Sequence, residues 1–152
     1  MVITHLLDPG EMVDGDLTLV VEDFHEYAPD KRWVPYYRFR MLNTHTRDTM
    51  GNASLRLGNN LHIVLYAGHI GYGVEPAFRG HHYASRAVRL LLPLALRHGL
   101  NPVWITCNPD NLPSKRSLEI AGGKFVEIVD LPPDNPMYLA GERQKCRFRF
   151  DL

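Results

Sequence analysis

The pattern of apolar and polar positions changes period once, near the middle of the chain, in a way that carries chemistry. Residues 62–74 read as one long strand. From Ala84 the apolar positions Ala84, Ala87, Val88, Leu91, Leu92 and Ala95 recur at i, i+3, i+4, i+7, i+8 and i+11, the spacing of a single buried helix face. Arg86, Arg89 and Arg97 fall off that face, and Gly99 after His98 supplies a stop. Pro93 has no N–H for the carbonyl of Arg89 and is expected to kink the helix late. Residues 103–107, Val-Trp-Ile-Thr-Cys, are short, apolar and β-branched. They predict a central strand parallel to the first, reached by a right-handed crossover.

On the N-terminal side, residues 1–16 read as loop, with turns at 8–10 and 14–16. Residues 17–25 are extended, 28–31 form a turn, and 35–43 alternate as a strand whose partner, 51–57, follows a hairpin turn at 46–48. Residues 58–60 are a further turn. Beyond 107, the loop 108–111 opens a helix with Pro113 in its first turn, which runs to about Ala121 and ends at Gly122 and Gly123. Strands at 125–129 and 145–150 flank a Pro-rich loop, 131–136. The fold class is α/β, a twisted mixed sheet with a few helices on it, or α+β if the early strands are all antiparallel.

Composition narrows the function classes. A chain of 152 residues, 45% hydrophobic and 22% charged, predicts one globular domain, 1–152. Seventeen basic and seventeen acidic residues cancel, which argues against a nucleic-acid surface, since phosphate-backbone binding needs a basic excess. No uncharged apolar run approaches the ~20 residues of a membrane span, and residues 1–5 lack a signal-peptide pattern. Cys107 and Cys146 are too few for a disulfide scaffold, so a reducing, cytoplasmic setting is expected.

Between the predicted strand and helix sits the turn Arg79-Gly80-His81-His82. A helix that opens there leaves backbone N–H groups without partners, with the positive end of the helix dipole behind them, and such a spot favours phosphate. The two histidines do not predict a metal site, because no other ligand stands at metal spacing.

Val74-Glu75-Pro76 followed by Arg79-Gly80-His81-His82-Tyr83-Ala84 resembles the acyl-CoA signature of the GNAT superfamily of N-acetyltransferases, with His82 at the usual second-glycine position. Upstream, Gly68-His69-Ile70-Gly71-Tyr72 resembles a strand of the branch that acetylates ribosomal-protein N-termini, His69 replacing a Glu. Downstream, Asn111 to Ser114 and Gly123-Lys124-Phe125 resemble the second family motif. The resemblance implies acetyl-CoA as co-substrate and no metal. Its pyrophosphate would lie on backbone N–H groups of Arg79, Gly80, His81, His82, Tyr83, Ala84 and Ser85. Its pantetheine arm would add along Tyr72–Val74, which splays from the next strand, with Asn111 and Ser114 on the arm's other side. An imidazole at position 82 requires helix-compatible dihedrals and a side chain turned away from the phosphates.

The same resemblance makes His69 the candidate base, against the alternative that it hydrogen-bonds within the sheet. It places an oxyanion on a backbone N–H near Val74. The leaving-thiolate acid, a Tyr in many relatives, falls at Leu118, which leaves Ser117, Cys107 and Tyr138 as substitutes. The helical cover expected between the first two strands is reduced, because only about a dozen residues separate the extended runs. Trp33, Tyr36, Tyr37 and the 131–138 loop fit an open acceptor site, though the three aromatics equally fit core or a homodimer contact. The acceptor is a small amine or a peptide N-terminus. The competing reading is a non-catalytic module that binds coenzyme A or a partner.

Overall fold

A computed structural model of the chain describes residues 1–26 and 34–152; the turn expected at 28–31 and Trp33 lie outside the described residues. The strands are β1 (Met12–Asp14), β2 (Leu17–His25), β3 (Tyr36–Asn43), β4 (Thr49–Arg56), β5 (Ile70–Val74), β6 (Val103–Cys107), β7 (Lys124–Asp130) and β8 (Gln144–Phe150). The helices are α1 (Tyr83–Arg97), α2 (Leu112–Ile120) and the short α3 (Pro136–Leu139).

Strict alternation builds the first sheet. Tyr37, Phe39 and Met41 of β3 and Ala53 and Leu55 of β4 point inward and are buried. Ala87, Val88, Leu91, Leu94 and Ala95 of α1 join the same core. Burying such side chains stabilises by about 1.5–3 kcal/mol for each large one. β1 to β5 form one sheet in sequence order, β6, β8 and β7 form a second in that spatial order, and every paired neighbour is antiparallel. The α+β form of the expectation therefore holds. The N-terminal segment is tied to this core by Tyr37, whose hydroxyl donates to the Leu7 carbonyl at 2.8 Å and lies 2.7 Å from His98 Nε2. His98 Nδ1 stands 2.6 Å from the Ile3 carbonyl.

Two expectations fail around β5. The run 62–74 is not one strand: His62–Ala67 forms a π-helical turn and only Ile70–Val74 is extended. Partners outside the run, two of them distant in sequence, override the strand pattern here. Asn60 Oδ1 accepts from the Ile63 N–H, Arg147 holds the Val64 carbonyl, and the Thr106 hydroxyl donates to the Tyr66 carbonyl at 2.7 Å. Gly68 ends the turn at φ +75, so close to β6 that a Cβ would stand 3.0 Å from the Trp104 carbonyl oxygen.

Nor is β6 a central strand in one sheet with β5. It pairs only with β8, at the edge of the second sheet. Among the described residues, backbone hydrogen bonding between β6 and β5 is confined to one rung just before β5, where the His69 N–H donates to the Trp104 carbonyl at 2.6 Å. The return bond, from the Trp104 N–H at 2.9 Å, ends on the His69 imidazole Nδ1 and not on a backbone carbonyl. A side chain in place of a backbone acceptor stops the ladder from propagating, and beyond that rung the two sheets part.

Candidate active site

The gap opened by the parting sheets is a cleft of about 620 Å³ between the end of β5, the start of α1 and one face of α2. Tyr72, Val74, Arg79, Gly80, His82, Ala84, Asn111 and Ser114 all line it, together with Ser117. Helix α1 donates its first bond within this turn from the Arg86 N–H to the His82 carbonyl at 3.0 Å. The N–H groups of Tyr83, Ala84 and Ser85 precede that bond and have no place in the helical ladder. Gly80 turns the chain at φ +90, and the space beside its Cα is open.

His82 departs from the expectation for that position. It sits at φ 60, ψ 25, in the left-handed region and not a helical one, which costs an L-residue about 1–2 kcal/mol. The backbone needs a glycine-like conformation here, and the imidazole endures it on an exposed surface with no cap bond of its own. Tyr83 is core: its hydroxyl donates to Asp16 Oδ2 at 2.6 Å, a bond that holds the Asp16 carboxyl below its usual range. Ser85 is buried and its hydroxyl donates to the His82 carbonyl at 3.0 Å. Those two residues have only main-chain groups to offer a ligand.

The β5 edge follows from its register. The Glu75 N–H donates to the Met50 carbonyl and the His69 carbonyl accepts from the Arg56 N–H, so the odd-numbered residues between them face β4. By the period of two, Tyr72 and Val74 turn their N–H and C=O groups to the open edge. The Val74 carbonyl there accepts from Arg79 Nε at 3.3 Å. Across the gap, the Tyr72 hydroxyl and Ser114 Oγ lie 2.7 Å apart, and Asn111 Oδ1 caps α2 by accepting from the Ser114 N–H. Burial pushes the Tyr72 phenol up. An N–H row at a helix start, running into an open strand edge, suits a ligand with phosphates at one end and an extended amide-bearing arm.

His69 does not fit the role of base. It is wholly buried, Nδ1 accepts from the Trp104 N–H at 2.9 Å, and Nε2, which must then carry the proton, stands 2.9 Å from Asn59 Oδ1. Burial pushes its pKa down to about 4. The only lone pair is taken, so the imidazole is a rivet between the sheets. Among the acid candidates, Ser117 lines the cleft but donates to the Pro113 carbonyl at 2.9 Å. Burial pushes the Cys107 thiol up to about 11, the opposite of an activated thiol. Tyr138 lines neither cleft; Arg143 lies over its ring at 3.9 Å. Leu118 is core.

A second cleft, of about 780 Å³, occupies the other face of the first sheet. Tyr36 and Arg38 of β3, Asn52, Ser54 and Arg56 of β4, His62, and Pro136 with Met137 line it. Of the residues expected around an acceptor, Tyr36 and, from the 131–138 segment, Pro136 and Met137 line this cleft, whereas Tyr37 belongs to the core. Gly71 pairs with Ser54 and Gly73 with Asn52 on this face, so β5 presents bare backbone between the two clefts. Arg38, Arg56 and His62 were not singled out from sequence. The alternation of β3 and β4 puts Tyr36, Arg38, Asn52, Ser54 and Arg56 on one face, but only α1 shows that this is the face left open.

Strand edge and helix start together form a site that suits a phosphate-bearing ligand with an extended arm. The family described as "Acetyltransferase (GNAT) domain" matches residues 14–124, and the chain belongs to that family of acetyl-CoA-dependent acetyltransferases. No curated protein matches the sequence. The fold is similar to that of a Vibrio cholerae protein assigned as a ribosomal-protein-serine acetyltransferase, at TM-score 0.68 and 14% identity over 97% of this chain and 100% of that one. It also resembles a GNAT-family acetyltransferase from Bacillus anthracis, at TM-score 0.58 and 19% identity over 75% of this chain and 65% of that one. A third likeness is Mycobacterium smegmatis RimJ in complex with CoA-disulfide, at TM-score 0.59 and 18% identity over 76% of this chain and 53% of that one. The chain spans the whole of the first of these and under two thirds of the other two.

Proposed function

We propose that this chain transfers the acetyl group of acetyl-CoA to a primary amine by direct attack within a ternary complex. The coenzyme occupies the cleft between β5, α1 and α2, and the amine enters from the opposite face of β5. One observation carries the reading: Gly73 lines the coenzyme cleft, its strand partner Asn52 and the neighbouring Ser54 line the other, and Gly71 and Gly73 put no side chains on that face of β5.

Acetyl-CoA supplies an activated acetyl thioester. The residues of this chain do the rest by position. N–H groups from Gly80 to Ser85 hold phosphate, and the Tyr72 and Val74 main-chain groups align the arm, which holds the reacting carbonyl in place. The outward N–H of Val74 is the donor for the oxyanion. On the amine side, His62 is the one imidazole that lines the acceptor cleft, and it takes the role of proton acceptor that the geometry denies to His69. The acceptor is a small amine or a peptide N-terminus, and the site of action is the cytoplasm, in keeping with two free cysteines. Among the described residues no helix is long and apolar enough to cross a membrane.

Thiol release from acetyl-CoA across a panel of amines tests the reading, alongside calorimetric binding of acetyl-CoA itself. Turnover with one amine class at micromolar coenzyme affinity is the expected result. Tight coenzyme binding with no release from any amine would make the chain a coenzyme-binding module, a reading that Leu118 in the core at the usual tyrosine position favours.

A further inference from the structure

The acceptor cleft has a charge pattern that says what enters it. Among the described residues its charged lining is Arg38 and Arg56, with His62 beside them, and none of the lining residues is Asp or Glu. Several arginines of this molecule have acidic partners, Arg40 with Glu22, Arg47 with Glu11, Arg86 with Asp14 and Asp16, Arg147 with Glu127 and Arg149 with Asp151. Among the described residues neither Arg38 nor Arg56 has an acidic partner. Arg56 is moreover half-buried, and burial pushes its guanidinium down. One of its nitrogens donates to the Gly68 carbonyl at 2.9 Å, and the guanidinium lies over Gly71, where a Cβ would stand 3.4 Å from NH2. A partly desolvated cation without a counter-charge is costly to fold, and a bidentate anion is the partner its planar fork fits.

The register places this fork. Arg38 faces Ser54, which faces Gly71, in one row across β3, β4 and β5, and Arg56 faces Tyr36 on the same side. Adjacent strands are about 4.8 Å apart, so an anion held by Arg56 lies within a few bonds' reach of the bare backbone at Gly71. Resting on the proposed transferase reading, we infer that the acceptor amine carries its own anionic group, a carboxylate or a phosphate, a few bonds from the nitrogen. Arg56 and Arg38 grip that group and thereby aim the amine at β5. Acceptors of this kind are amino acids and amino-phosphates, and neutral or cationic amines of the same size are rejected.

Binding with coenzyme A present, measured by calorimetry, tests this without requiring turnover. The probes are α-amino acids against their amides, and O-phosphoethanolamine against ethanolamine, so that the two arms separate carboxylate from phosphate. At least one anionic probe binds tenfold or more tighter than its neutral counterpart. Arg38→Met, at an exposed position, weakens that probe about tenfold and leaves acetyl-CoA affinity within twofold. Arg56→Lys keeps the charge but loses the fork and weakens it less. Equal or tighter binding of the uncharged probes, no anion binding in the millimolar range, or an Arg38→Met variant that loses nothing would each overturn the inference. Thiol release with the same panel separates the two readings. Anion binding with no release from any amine defeats the transferase reading and leaves the anion site standing; turnover that prefers the amides defeats the anion site alone.

Discussion

The two clefts on either side of β5 are built from different materials. The cleft at the start of α1 offers mainly backbone: N–H groups of a helix start, the open edge of a strand, and the left-handed turn at Gly80 and His82. The opposite cleft offers side chains, Arg38, Arg56 and His62 among them, delivered by strands, a π-helical turn and α3. Backbone donors serve any ligand with the same phosphates and amides, so the first cleft suits an invariant co-substrate. Side-chain lining can change without disturbing the fold, and under the proposed function the second cleft is where the identity of the acceptor is written.

Substitutions on each side should therefore separate coenzyme affinity from turnover. The largest effect is expected for Gly80→Val, since a β-branched residue cannot adopt φ +90 without strain. Saturable acetyl-CoA binding in calorimetry should vanish, and Arg79→Glu, which places a carboxylate at the phosphate turn, should weaken it at least a hundredfold. Unchanged affinity in both variants would break the assignment of this cleft.

Gly71→Leu should do the reverse. Its Cβ would stand 3.2 Å from Ser54 Oγ and 3.4 Å from Arg56 NH2, inside the acceptor cleft. Amine turnover should drop by about two orders of magnitude, roughly 3 kcal/mol of barrier, with acetyl-CoA affinity within a few fold. Loss of both together would mean that β5 does not divide the two functions.

His69 tests the rivet between the sheets. Its native pKa, pushed down to about 4 from the unfolded 6.5, means that the unfolded chain takes up a proton that the native state refuses. Its contribution to stability is complete above pH 6.5 and is lost as pH falls from there toward 4, by up to about 3 kcal/mol. Urea unfolding at pH 7 and pH 4.5 should show that fall, and a His69→Gln variant should lack it. A His69→Gln enzyme that is as stable as the wild type but inactive would restore the imidazole to the chemistry.

The smallest effect is expected at His82. Replacement by glycine relieves the left-handed strain and returns part of the gain as unfolded-chain entropy, for a net stabilisation of about 0.5 kcal/mol. Acetyl-CoA affinity should hold or tighten slightly. A marked loss of affinity would show that the imidazole itself touches the phosphates.

The coenzyme side was legible because local rules write it. Helix periodicity from Ala84, Pro113 in the first turn of α2 and Asn111 as its cap all appear as spacings in one stretch of chain, and α1 and α2 form where those spacings put them. The family motif lies in the same stretch. By contrast, residues 62–67 carry an apolar, β-branched pattern that reads as strand, and Thr106 and Arg147, distant in sequence, together with the adjacent Asn60, bend them into a π-helical turn. His69 resembled a base in one dimension and became a buried hydrogen-bond bridge in three, because its environment depends on Trp104 and Asn59.

Sequence alone thus determined what short-range backbone chemistry can express: helices α1 and α2, most of the strands, and the family. Tertiary structure decided that the sheet breaks between β5 and β6, that Tyr37 is core while Tyr36 lines a cleft, and that two arginines share an open face with, among the described residues, no ion-paired carboxylate. Each of those depends on which faces meet after packing. A spacing rule reports that two residues lie on the same side of a strand; only the packed helix shows whether that side meets protein or solvent.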